Sequence, residues 1–236
     1  MIRWLADPTR RFSRRPHYSQ DEIELMCEDL IASYFEVRKR PRELPLTTST
    51  LSKILEQHAE HCDFSRDLSP FGDDVEGLTR FRQDRKPVVY ISAKIRETKY
   101  SRRRRMTMAH ELGHVRLHDV LFQDSPAMEL FADLNESTPT YCKRSTIARG
   151  GDWMEWQASY AAGAILMPSA QLRAVLDEES ARLGVVGVLQ HDDVRSYLLA
   201  NTVCAAFDVS GEAARVRLLQ KGYIAPKHVL TFEFKP

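Results

Sequence analysis

Residues 101–118 read SRRRRMTMAHELGHVRLH, and the reading of the whole chain turns on His110-Glu111-Leu112-Gly113-His114. On a helix, positions i and i+4 lie about 40° apart around the axis and one turn along it. His110 and His114 therefore project to one side and can share one small ion. Glu111 lies about 100° round from His110, so its carboxylate flanks that ion without having to ligate it. Two nitrogen ligands beside an acid–base carboxylate is what a hydrolytic zinc site requires. With 8 His in 236 residues, a chance HExxH is expected in roughly 2% of such chains. Met106, Met108, Leu112, Val115 and Leu117 supply the apolar side of the same helix.

A Zn2+ held by two histidines needs a third protein ligand, and three residues are open to the role. His118 is one turn further along, but a helix rises about 12 Å from His110 to His118, which places it beside the site or in the core. Cys142 sits in a polar, irregular stretch, 122–151. Glu155 opens the segment EWQASYAAGAILMP (155–168), whose remainder is too apolar to be exposed. A carboxylate buried in such company needs a partner, and a metal would be one, which favours Glu155. Tyr160, His118 and His191 are candidates to steady the developing oxyanion.

Outward from this centre the chain alternates in character. Residues 1–19 form a basic arm, with Arg3, Arg10, Arg11, Arg14 and Arg15 against the single acid Asp7, expected to pack loosely. Residues 20–38 carry Ile23, Met26, Cys27, Leu30, Ile31, Tyr34 and Phe35 at helical spacing, with Ser19 and Glu22 forming a capping box. A second helix is expected over 49–61. VEGLTRFRQ (75–83) and KPVVYISAKI (86–95) are short β-branched runs that predict a small, antiparallel-rich sheet. Helices follow over 152–166, 169–182 and 190–200, then a turn at Val209-Ser210-Gly211 and a further helix. The tail HVLTFEFK (228–235) reads as a last strand. The order predicts an α+β, mostly helical fold with the small sheet beside the HExxH helix. The expected domain spans 20–222, with 122–151 an insertion and 223–236 a tail.

Composition narrows the alternatives. The chain is 43% hydrophobic and 28% charged, with a net charge of +1, so it reads as globular and not as a polyanion binder overall. No apolar run approaches the roughly 20 residues of a membrane span, so no membrane partner is expected. Asp7 and Pro8 fall where a signal peptide would be apolar. Cys27, Cys62, Cys142 and Cys204 are far apart and form no disulfide framework. A cytoplasmic protein is expected.

RRRRMTMAHELGHVRLH (102–118) resembles the signature of the ImmA/IrrE family of metallo-endopeptidases. EWQASYAAGAILMP (155–168) is similar to that family's second helix, whose first Glu completes the zinc site, which places Glu155 in the ligand role. FDVSGEAARVRL (207–218) and EGLTRFRQDRKPVVYIS (76–92) resemble flanking family elements. Met106, Ser159 and Ala161 depart from the usual residues at positions that pack or stand behind the metal ligands, and the spacing from His114 to Glu155 is longer than usual. The resemblance implies a zincin-like fold and a Zn2+-dependent endopeptidase with Glu111 as its base. It also implies a protein substrate, a helix-turn-helix transcriptional repressor whose cleavage relieves repression.

Two other readings compete. One is a non-hydrolytic, zinc-containing regulatory module that binds DNA or a protein. The other, weaker, is one half of a toxin–antitoxin-like pair. Direct contact with nucleic acid would fall to Arg102, Arg103, Arg104, Arg105 and the N-terminal arm, though a solvated turn is the plainer reading of that run. His58, His61 and Cys62 could nucleate a second metal site, but no complete ligand set accompanies them.

Overall fold

Ser19 begins the first long helix as its sequence dictates. Its hydroxyl accepts from the Glu22 amide at 3.2 Å, and the Glu22 carboxylate accepts from the Ser19 amide at 2.6 Å. The two bonds satisfy donors that a helix start leaves open. In the computed structural model, residues 2–83, 85–122 and 152–227 are described in full, and 139–143 through the backbone. The fold is mixed α+β and mostly helical, and it divides into two compact units at Pro168/Ser169.

The first unit opens with an antiparallel ribbon, β1 (Arg3–Ala6) and β2 (Arg14–His17), in which Trp4 faces Pro16. Residues 1–19 are thus an ordered ribbon and not the loosely packed arm that their charge predicts. Phe12 is the physical reason. It is buried with Phe81, Leu121, Phe122, Trp153 and Met154, and Trp4 packs on the same cluster. After the ribbon come α1 (Gln20–Val37) and α2 (Thr48–His58). The second helix stops short of the expected residue 61, because His61 already begins strand β3 (His61–Arg66).

The main sheet has the order β3-β5-β4-β6, with β4 (Val75–Arg82), β5 (Arg85–Ser92) and β6 (Pro139–Lys143). β4 pairs antiparallel with both β5 and β6, while β3 runs parallel to β5. The stretch expected to be irregular, 122–151, therefore contributes the edge strand β6. Its other residues, 123–138 and 144–151, lie outside the described residues.

Helix α3 (Ser101–His118) runs beneath β4 and β5 and packs most extensively on α4 (Trp153–Leu166). In α3, every residue from Thr107 to Val115 is buried, so it is a central helix and not a two-sided one. Gly113 permits the close approach to α4. A Cβ there would lie 3.0 Å from the Ala158 carbonyl oxygen and 3.1 Å from the Ala161 Cβ.

The second unit holds α5 (Ser169–Leu183), α6 (Val194–Phe207) and α7 (Gly211–Gln220). Asp208 turns the chain in the left-handed region, and Ser210 caps α7 by accepting from the Ala213 amide. Leu172, Leu176, Leu199, Val203, Phe207 and Leu218 are buried there. Leu189 bridges Ile224 in parallel. The tail expected to be a strand, 228–235, lies outside the described residues. Among the described residues no helix is long and apolar enough to cross a membrane.

Candidate metal centre

His110, His114 and Glu155 converge where α3 crosses α4. Their ligand-type atoms all lie within 4.8 Å of one another, and among the described residues no other group of three or more such side chains does so. His110 Nε2 and His114 Nε2 are 3.0 Å apart. The Glu155 carboxylate lies across both, with Oε2 at 3.2 Å from His110 and Oε1 at 3.2 Å from His114. All three residues are at most 5% exposed. Three donors of mixed N and O type facing one point suit a divalent ion with an open position.

Glu111 is fully buried on the sheet side of this cluster. Its Oε2 accepts from the Thr79 hydroxyl at 2.5 Å, while Oε1 is buried with no hydrogen-bond partner among the described residues. A buried carboxylate oxygen left without a partner is costly, and a bound water or ion beside the donor set would meet it. Gly77 makes the room, since a Cβ there would overlap the carboxylate, 2.8 Å from its Cδ. Both β4 residues are supplied by VEGLTRFRQ, and sequence reasoning placed neither at the site. The signal available was a Gly and a Thr two residues apart in an otherwise bulky run.

Burial pushes the Glu111 carboxyl up to about 8, against the lowering pull of His114 and Thr79. Burial also pushes Glu155 up, but the His114 charge and the hydrogen bonds from His110 and His114 outweigh it and hold Glu155 well below the usual carboxylate range. Burial lowers His110 and His118. His114 is also pushed down by burial, and is raised on balance by Glu155 and Glu111.

Around these groups stand residues that hold them in place. His110 Nδ1 lies 3.3 Å from the Ser159 hydroxyl. His114 Nδ1 lies 3.0 Å from His118 Nδ1, and His118 Nε2 lies 3.0 Å from Gln157 Oε1. His118 thus stands beside the cluster and not in it. Gln157 went unremarked in sequence, although a fully buried amide in an apolar helix was the available clue. The Tyr160 hydroxyl donates to Glu24 of α1 at 2.9 Å, about 140° round α4 from Glu155. His191 belongs to the second unit, where its carbonyl accepts from Arg215 and Ser196. Cys142 lies in β6, of which only the backbone is described.

The arginine run is built into the first unit. Arg103 pairs with Glu76 of β4, Arg104 donates to the Phe64 carbonyl at 3.0 Å, and Arg105, 3% exposed, donates to the Leu46 carbonyl at 2.7 Å. Cations at a helix start oppose its dipole. Here these acceptors offset that cost and tie α3 to the sheet and to the α1–α2 connection. His58, His61 and Cys62 form no ligand cluster, and burial pushes the Cys62 thiol up to about 12.

A family model described as Peptidase M78, the IrrE N-terminal-like domain, matches residues 68–219, more than half of the chain. The chain belongs to this family. The match to the IrrE-like peptidases begins just before β4 and ends in α7, so it takes in Gly77, Thr79, the HExxH helix and Glu155. The N-terminal ribbon and α1 lie outside it. No match was found among the curated proteins.

Proposed function

We propose that this IrrE-like chain is a zinc-dependent endopeptidase of narrow specificity. The observation that supports it is the bare Glu111 Oε1, buried beside a His-His-Glu donor set. His110, His114 and Glu155 would hold the ion. A zinc ion there supplies Lewis acidity toward a water molecule and a peptide carbonyl.

The chain's own residues do the proton work. Thr79 occupies Oε2 of Glu111 and so leaves Oε1 to take the proton from the attacking water. The same oxygen then returns the proton to the leaving amine as the peptide C–N bond breaks. A carboxyl whose pKa lies near the working pH can do both.

The substrate we propose is a helix-turn-helix repressor, on the strength of the resemblance to ImmA/IrrE endopeptidases. We place the reaction in the cytoplasm, where Cys27, Cys62 and Cys204 would stay thiols. Arg103, Arg104 and Arg105 are engaged within the unit, so any direct contact with nucleic acid would fall to the exposed Arg102 and to the exposed arginines of the N-terminal arm.

The test is to incubate the source proteome with the wild type or with Glu111→Gln, then label new protein N-termini. The wild type is expected to generate a small set of cuts, one of them in a DNA-binding repressor. Glu111→Gln should bind zinc and generate none. Identical N-termini from both proteins would contradict an enzymatic role.

A further inference from the structure

The Gln157 amide is oriented from the side away from the metal centre. Pro16 of β2 presents a carbonyl, which can only accept, and Gln157 Nε2 donates to it at 3.3 Å. Oε1 therefore faces His118 Nε2, 3.0 Å away, and must receive a proton from it. A neutral imidazole carries a single N–H. With that proton on Nε2, His118 Nδ1 is a lone pair, 3.0 Å from His114 Nδ1, so His114 donates from Nδ1. In the neutral imidazole that a metal requires, His114 Nε2 then carries the lone pair, on the side that faces His110 and Glu155.

We infer that the N-terminal ribbon, acting through the Pro16 carbonyl, Gln157 and His118, fixes His114 in the tautomer whose Nε2 can bind a metal. Gln157, His118 and His114 are each no more than 1% exposed, so bulk water is not at hand to replace a lost partner. The ribbon is secured to the same two helices. Asp7 accepts from the Trp153 indole at 2.9 Å, and the Tyr18 hydroxyl donates to the Leu117 carbonyl at 3.3 Å. A segment outside the family match thus completes the surroundings of the metal centre. Gln157 and His118 act through His114 and are positioning residues, of the kind that tune a ligand histidine from behind. The inference rests on the metal reading of His110, His114 and Glu155.

The test uses the full chain with zinc as the probe. Nitrogen-15 imidazole spectra of the zinc-loaded wild type should show the His118 proton on Nε2. A proton on Nδ1 overturns the inference. Chelator competition on Gln157→Met and His118→Phe should show zinc Kd rising about 10- to 100-fold. Because the two residues act in series, the double variant should bind no more weakly than His118→Phe alone. Additive losses, or a wild-type Kd in Gln157→Met, overturn it as well. A wild type that binds no zinc overturns the metal reading and this inference with it. Zinc binding with the wrong tautomer overturns this inference alone.

Discussion

At Glu111 the two carboxylate oxygens have different duties, because Thr79 occupies one and, among the described residues, no side chain or backbone group occupies the other. Thr79→Val removes a hydrogen bond that favours the ionised form. Such a bond to a charged group is worth about 1.5–3 kcal/mol, so the Glu111 titration should move upward by about one to two pH units. A carbon-13 titration of the Glu111 carboxyl in zinc-free protein checks this, starting from a wild-type value of about 8. An unchanged titration would mean that Thr79 does not tune the base. HExxH was legible because its parts sit within one turn of one helix. Thr79 and Gly77 were not, because they reach Glu111 only through the sheet's packing, 32 residues away for Thr79. Glu155 was legible as a charge that its apolar helix could not bury alone, and the same logic applied to Gln157 would have found it.

At the scale of elements, the centre depends on how near α3 and α4 can come. Gly113 faces the Ala158 backbone, which cannot swing aside as a side chain end could. Gly113→Ala should therefore cost about 1–3 kcal/mol of stability, as overpacking does, and weaken zinc binding by parting the histidines from Glu155. Gly211→Ala is the control. Nothing lies within 4 Å of the added Cβ, and the change should be neutral or slightly stabilising in a helix. Thermal unfolding and zinc titration of both variants decide it, and equal effects would contradict the account. Most periodic helices were legible nearly to the residue, with α3 covering Ser101–His118, but α6 (Val194–Phe207) begins four residues after and ends seven after the expected 190–200. The parallel β3–β5 pairing was not, since local patterns of alternation carry no sign of strand direction.

Over the whole molecule, Asp7 is the main polar anchor of the N-terminal ribbon. Asp7 accepts from Thr9, Phe12 and Trp153. Burial pushes its carboxyl up, and these hydrogen bonds outweigh burial and hold it below the usual value of 3.8. A group whose pKa is lower folded than unfolded stabilises the fold above the unfolded value, and that contribution fades as pH falls through the folded one. Asp7→Asn should thus cost about 1–3 kcal/mol near pH 6, and the gap to wild type should close as pH drops below 3.8. Urea unfolding of the zinc-free proteins across pH 3–6 reads this, and a gap independent of pH would contradict it. Sequence hid the ribbon because its arginines dominate the composition while its anchors, Asp7 and Phe12, are single residues whose partners lie far along the chain. The central claim, that His110, His114 and Glu155 hold one zinc, is tested most directly by elemental analysis of the wild type beside His114→Ala and Glu155→Ala. About one zinc per wild-type chain is expected, lost in both variants while the apo fold persists. A wild type that takes up no zinc when it is supplied, or variants that keep it, would contradict the claim.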